Sequence, residues 1–330
     1  FKATRASMTG WPYRCWEGLC KRLQSNRLED FYQLDTSLGS GAFCTVYLAT
    51  CKKTSDQAAV KVFKRTTTNE ENGAQAAFET ERDMLEQVGH PNIIEFLGWF
   101  SDESAWQLVV EVCSGGELLD KVVEAGSLTE RQASVLMKQI CDPLTFLHQQ
   151  RVCHRDLKPE HFLFARPGDL EEVPLKIIDF GLACRFQEGE TLKDSPGTVM
   201  YVAPEILSQS YQPPACDLWS FGVVAYLTMS GISPFDAETA KQVAKNVRKA
   251  NYNFDAPCWQ HVSEDGKDFL RQLLQKDVRL RLTAQDACAH RWISSVAPDA
   301  SAEPLPMMED LRHWAEDNRR SRELYKKHFS

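Results

Sequence analysis

The stretch from His154 to Gly181 constrains this chain more than any other. It reads HRDLKPEHFLF, then an acidic loop, then LKIIDFG. It sets Asp156 on a loop, Lys158 two residues on, a short apolar run, and a second carboxylate, Asp179, directly after the β-like segment from Leu175 to Ile178. A loop carboxylate can accept a hydroxyl proton while a neighbouring Lys steadies a phosphate, and a second carboxylate can hold a divalent cation. This is the layout of a phosphotransfer site.

Composition narrows the setting. At 330 residues, with 43% hydrophobic and 25% charged side chains, the chain reads as globular and soluble, as two ordinary domains or one large two-lobed one. No apolar run approaches the roughly 18 to 20 residues that a membrane helix needs, so no transmembrane segment is expected. A formal charge of -8 argues against a nucleic-acid partner and favours basic ones. The 11 cysteines are scattered without paired C-x-x-C spacing, which suits free thiols in a reducing, cytoplasmic compartment.

Residues 1–30 space Trp11, Cys15, Trp16, Leu19, Leu23 and Leu28 roughly helically among Arg14, Lys21, Arg22 and Arg27, predicting a short amphipathic helix. Packing on the body of the protein is its ordinary use, and a peripheral membrane contact is the other. From Phe31 the pattern turns to short β-like runs. Gly39-Ser40-Gly41-Ala42-Phe43-Cys44 lies between the first two, a hairpin whose glycines let backbone amides approach phosphates. Lys61, in AVKVF, is an odd choice for an inner strand face. A helical run from Ala74 to Val88 carries Glu81, and the GHPNII segment follows. The strand QLVVEV leads to CSGGEL, and residues 129–150 read as a buried helix. The closing patterns are GTVMYVAPE, DLWSFG and KDVRLRLTAQDACAHRWI.

Together these motifs resemble the eukaryotic protein kinases, over about Phe31 to Ile293. Within them the chain looks most like the calcium/calmodulin-dependent and calcium-dependent (calmodulin-domain) Ser/Thr kinases. The resemblance implies an α+β, bilobal protein kinase fold, with a small antiparallel β lobe bearing one main helix (31–111), a hinge (112–116) and a larger, mainly helical lobe (117–293). It implies transfer of the ATP γ-phosphoryl group to protein Ser or Thr hydroxyls. Asp156 would take the proton, Lys158 would stabilise transferring charge, and Lys61 paired with Glu81 would anchor phosphates. Leu38, Gly39, Gly41, Val46, Ala59, Val110, Glu111 and Cys113 would line the nucleotide site, with Asp179 holding Mg²⁺.

Glu117 suits a helix N-terminus, where an acid is favourable. By resemblance it also reaches the ribose or a substrate Arg, and with Glu160 it implies protein substrates with basic residues near the acceptor. Arg155 would pair with a phosphate on Thr191 or Ser195, or with Asp194 as a fixed substitute, and the sequence leaves these open. Thr198 would contact the catalytic Asp and Lys, Asp217 would tie down the catalytic loop, and Glu205 would pair with Arg281. All three are structural roles by the same resemblance.

There is one departure. His161 stands where the family has the metal-binding Asn, and imidazole suits Mn²⁺ or Zn²⁺ better than Mg²⁺. Three readings follow: an active kinase with Asp179 and a changed metal dependence, His161 included, a pseudokinase scaffold, or a different acceptor or chemistry. Residues 294–330 form a Pro-containing linker and a helix whose apolar stripe, Leu311, Trp314, Leu324 and Tyr325, is broken at Asn318 and Ser321. By resemblance this tail contacts a regulatory domain or calmodulin, and an ordinary docking helix or linker is the other reading. No D-x-D-x-D-G calcium loop occurs in the chain.

Overall fold

The computed structural model describes residues 27–41, 43–65, 70–194, 196–295, 297 and 303–329. Most of the predicted N-terminal helix, Ala42, Ser195, part of the linker and the side chains of Leu324 and Tyr325 lie outside the described set. The chain divides into two units: one comprises the residues up to Gln75 and Phe96–Glu111, the other Ala76–Glu95 and everything from Val112 on.

The first unit is an antiparallel sheet. After the single turn α1 (Leu28–Phe31) come β1 (Tyr32–Ser40), β2 (Thr45–Cys51), β3 (Gln57–Lys64), helix α2 (Glu70–Leu85), which continues into the second unit, β4 (Phe96–Ser101) and β5 (Ala105–Val110). The strand order is β1-β2-β3-β5-β4. The β-branched and small residues of QAAVKVFK suit a central strand, and β3 is buried from Ala58 to Lys61. Leu28, Tyr32, Ala49, Val60, Phe100 and Val109 form the core of this unit.

The second unit is mainly helical. It holds α3 (Leu118–Ala125), α4 (Glu130–Gln149), α5 (Ala215–Ser230), α6 (Ala240–Lys249), α7 (Glu264–Leu273), the short α8 (Ala284–Ala289) and α9 (Arg291–Ser294), and the tail helix α10 (Met308–Phe329). Thr129 starts α4 with a capping box, its side chain accepting from Gln132 N while the Gln132 side chain returns to the Thr129 N–H. α5 is apolar on every side and buried from Cys216 to Ser230, the pattern of a helix at the centre of a core. Two small antiparallel sheets complete the unit: β6 (Val152–Cys153) with β9 (Cys184–Arg185), and β7 (Phe162–Phe164) with β8 (Leu175–Ile177).

No described helix is long and apolar enough to cross a membrane. None of the described cysteines forms a disulfide.

Candidate active site

The β7–β8 register is what brings the site together. Phe162 pairs with Ile177, and the Ile178 N–H donates to the His161 carbonyl at 3.1 Å, so the next residue, Asp179, emerges beside His161. The pair is held from behind: Ile177 N–H donates to the Asn92 carbonyl, and the Asn92 side chain donates to the Leu175 carbonyl and to Gln139 Oε1.

Lys158 Nζ donates to Asp156 Oδ2 at 3.0 Å. His161 sits on a single 3-10 turn, Pro159–His161, and is only 8% exposed. Its Nδ1 lies 2.8 Å from the Asp156 carbonyl and 3.7 Å from Asp156 Oδ2, and its Nε2 lies 3.6 Å from Asp179 Oδ2. A carbonyl only accepts, so Nδ1 carries the proton and Nε2 presents its lone pair. Burial pushes the His161 pKa down to about 4, against the opposing pull of Asp179, so the ring is neutral at pH 7. Asp179 Oδ1 accepts from the Gly181 N–H at 2.9 Å. The donor set is thus a carboxylate and an unprotonated imidazole nitrogen, a pair that fits a divalent ion.

Asp217, at the start of α5, fixes the backbone ahead of Asp156. Its two oxygens accept from His154 N at 2.9 Å and Arg155 N at 2.8 Å, and His148 Nε2 lies 2.8 Å away. Burial resists ionisation of this carboxyl, but the hydrogen bonds and the charge of His148 outweigh it and hold the pKa below the usual carboxylate value. The His154 ring packs edge-on against Phe180 with centroids 5.0 Å apart. Arg155 gives Nε–H to the Leu182 carbonyl and Nη1–H to Asp194 Oδ2 at 2.5 Å and to Tyr211 Oη at 3.1 Å. Arg281 forms a two-pronged pair with Glu205, at 2.6 and 3.0 Å. Thr198 is exposed and its carbonyl accepts from Tyr201 and Val202, while its hydroxyl is not among the groups bonded to Asp156 or Lys158.

Glu117 pairs with Leu163 in an isolated bridge and so borders β7. Close approach is possible because Gly115 has no side chain: a Cβ there would lie 2.3 Å from the Arg166 carbonyl oxygen. Glu160 Oε1 accepts from Asn318 Nδ2 of α10 at 3.0 Å. Trp314, Ala315 and Asn318 face a small cavity shared with Glu117, Asp120 and Pro159.

Glu81 is buried in the second unit, where its Oε1 lies 3.5 Å from the Phe180 N–H, and Cys113 is half-buried there. The first unit carries the others. Lys61 is buried on β3 opposite Val46 and Leu108, Ala59 pairs with Val110, and Glu111 is half-buried at the unit's end. Leu38 is exposed, and Gly39 and Gly41 flank the hairpin tip, where Gly41 N–H donates to the Cys44 carbonyl.

Residues 32–293 match the protein kinase domain model. The chain belongs to the protein kinase family. The kinase fold is present as its α+β parts, an antiparallel sheet unit and a mainly helical unit. Relatives include calcium-dependent protein kinase 3 of Plasmodium berghei, 40% identical over 81% of this chain and 48% of that protein. Calcium-dependent protein kinase 27 of Oryza sativa subsp. japonica is 41% identical over 84% of this chain and 45% of its own length. Calcium/calmodulin-dependent protein kinase type 1 of Macrobrachium nipponense is 38% identical over 86% and 81%. This kinase chain spans about half the length of the calcium-dependent relatives.

Sequence reasoning did not find Asn92, Gln139 and His148, which brace the site from segments far apart in the chain. The GHPN run around Asn92 was the available signal. Glu130 was also missed: its buried carboxylate accepts from Ser263 Oγ, Ser263 N and Trp292 Nε1, joining α4 to the ends of α7 and α9.

Proposed function

We propose that this chain is a Ser/Thr protein kinase that transfers the γ-phosphoryl group of ATP to protein hydroxyls, with residues 31–293 as its catalytic domain. The observation that carries the reading is the Asp156 cluster, in which Lys158 and His161 lie against one loop carboxylate and His161 also borders the second carboxylate, Asp179. Asp156 orients the acceptor hydroxyl and takes its proton, and Lys158 compensates charge on the transferring group. Asp179 holds the divalent ion, which neutralises phosphate charge when bound. Lys61 and Glu81 anchor phosphates. The Gly39–Cys44 hairpin covers them, and Leu38, Val46, Ala59 and Val110 with the backbone of Glu111 and Cys113 receive the base.

The test is phosphotransfer from labelled ATP to a basic Ser/Thr peptide in Mg²⁺, in Mn²⁺ and in chelator, with Asp179→Ala as control. Metal-dependent turnover absent from the control is the expected result. A folded protein without turnover in either metal would instead be a nucleotide-binding scaffold.

Glu117 and Glu160 support a preference for substrates with an upstream Arg or Lys, and a flat profile on a peptide array would remove it. The Asn318–Glu160 bond and the Trp314 contact support a regulatory tail that competes with such substrates and is released by a calmodulin-type partner. A paired Trp314→Ala, Asn318→Ala change should lower KM for a basic peptide several-fold and leave KM for ATP unchanged.

A further inference from the structure

Away from the phosphotransfer site, the second unit brings together two cysteines that stand 147 positions apart in the sequence. Cys141 lies on the buried face of α4 with no exposed surface, and Cys288 lies on α8, half-buried at the edge of the same core. Their sulfurs are 2.7 Å apart. A disulfide bond spans about 2.0 Å, so bond formation requires less than about 1 Å of approach. Cys153 and Cys216 also meet, but at 3.5 Å and with both residues buried. The surroundings of Cys141 and Cys288 give the two sulfurs different roles. Thr145 Oγ1 lies 3.2 Å from Cys288 Sγ. Asp142 Oδ1 lies 3.5 Å from the same sulfur, and Lys138 Nζ, 3.5 Å from that oxygen, offsets its charge. The hydrogen bond from Cys141 holds the Cys288 pKa below the usual thiol value against the opposing effect of burial, and Thr145 adds to it. The same bond, and then burial, pushes Cys141 up. Cys288 is therefore the reachable and more ionised sulfur, and Cys141 remains a thiol behind it.

We propose that Cys141 and Cys288 form an oxidative modification site, at which hydrogen peroxide closes a reversible disulfide between α4 and α8. The inference goes beyond the kinase reading and holds whichever substrate the chain phosphorylates. The Cys288 thiolate sulfur bonds to one peroxide oxygen, the O–O bond breaks, and the second oxygen leaves as hydroxide and takes up a proton as water. The Cys141 sulfur then displaces the hydroxyl group of the resulting sulfenic acid, which departs with the Cys141 proton as a second water. The two thiols lose two electrons, and one peroxide is reduced to two waters. A dithiol reductant reverses the bond by exchange at the half-buried Cys288 sulfur. The bridge encloses Asp156, Asp179 and the whole of α5 in one covalent loop. Closing so long a loop restricts the unfolded chain far more than the folded one, so oxidation stabilises the second unit.

The test uses the full chain, reduced, freed of reductant and titrated with hydrogen peroxide, with remaining thiols blocked by N-ethylmaleimide before tryptic digestion. Non-reducing mass spectrometry should find the peptides 139–151 and 282–291 joined, since each carries one cysteine of the pair. Oxidation should raise Tm by at least about 5 °C, and dithiothreitol should abolish both the link and the rise. Cys288→Ser should show neither. Cys141→Ser should stop at the sulfenic acid, which dimedone traps on Cys288. Failure of the two peptides to join in the wild type, or a link formed instead at the Cys153–Cys184 pair across β6 and β9, would overturn the assignment. So would a Tm rise that survives in Cys288→Ser, and that variant decides alone if Cys141→Ser does not fold.

Discussion

Arg155 commits its guanidinium to the Leu182 carbonyl, Asp194 and Tyr211, so the stretch from Leu182 to Asp194 is held by a charge that the chain itself encodes. Hydrogen bonds to charged groups contribute about 1.5–3 kcal/mol. Asp194→Ala should therefore lower kcat/KM by about ten-fold. Phosphatase treatment of the wild type should leave it unchanged, and a phosphatase-sensitive rate would show that Thr191 or Ser195 matters instead. Two imidazoles give a pH prediction at the same scale. Burial lowers the pKa of His154 and of His90 below the ordinary value of 6.5. The unfolded chain then binds protons in a window where the folded chain does not, so stability is complete above pH 6.5 and is lost as pH falls below it. Denaturant midpoints at pH 7.5 and 5.5 should show the drop, and a flat profile would mean that these rings are charged in the fold.

Among elements, the two ends of α4 and the segments at its flanks carry buried charge. Arg281 is fully buried against Glu205 and also donates to the Gln275 and Ala215 carbonyls. Removing one partner of such a pair leaves the other uncompensated, so Arg281→Ala should cost about 3–5 kcal/mol. Arg281→Met combined with Glu205→Leu should restore most of it, as measured by chemical denaturation. Both residues were legible from APE and its distant Arg, because a pattern names them. Glu130 was not, since an acid at N1 of a helix looks like a response to the helix dipole, and only the fold brings Ser263 and Trp292 to it. The site itself was largely readable. HRD and DFG mark the carboxylates, and the residues of LKII announce the strand that returns Asp179 to His161. What the letters leave out is pairing between distant segments, such as Asn92 with Gln139. The tail gives the opposite lesson: Asn318, which breaks the apolar stripe, is the residue that donates to Glu160.

At the scale of the whole molecule, stability in the second unit should be graded outward from α5. All of its residues from Cys216 to Ser230 are buried, including Trp219 and Phe221, and burying a large apolar side chain contributes about 1.5–3 kcal/mol. The amides of α5 should be among the last of this unit to exchange with deuterium, and α10, docked from one side, among the first. Exchange in α5 as fast as in α10 would mean that the core opens locally. Gly231 caps α5 with a left-handed conformation, φ 76°, and a Cβ there would lie 2.6 Å from the Met307 carbonyl oxygen. The chain entering α10 therefore runs directly over the end of the central helix, with Leu305, Met307, Leu311 and Ala315 buried behind it. Cutting the protein short before Leu305 would bare the apolar surface beneath those four residues. The tail should thus also act as a colloidal stabiliser, and a shortened kinase should self-associate in static light scattering.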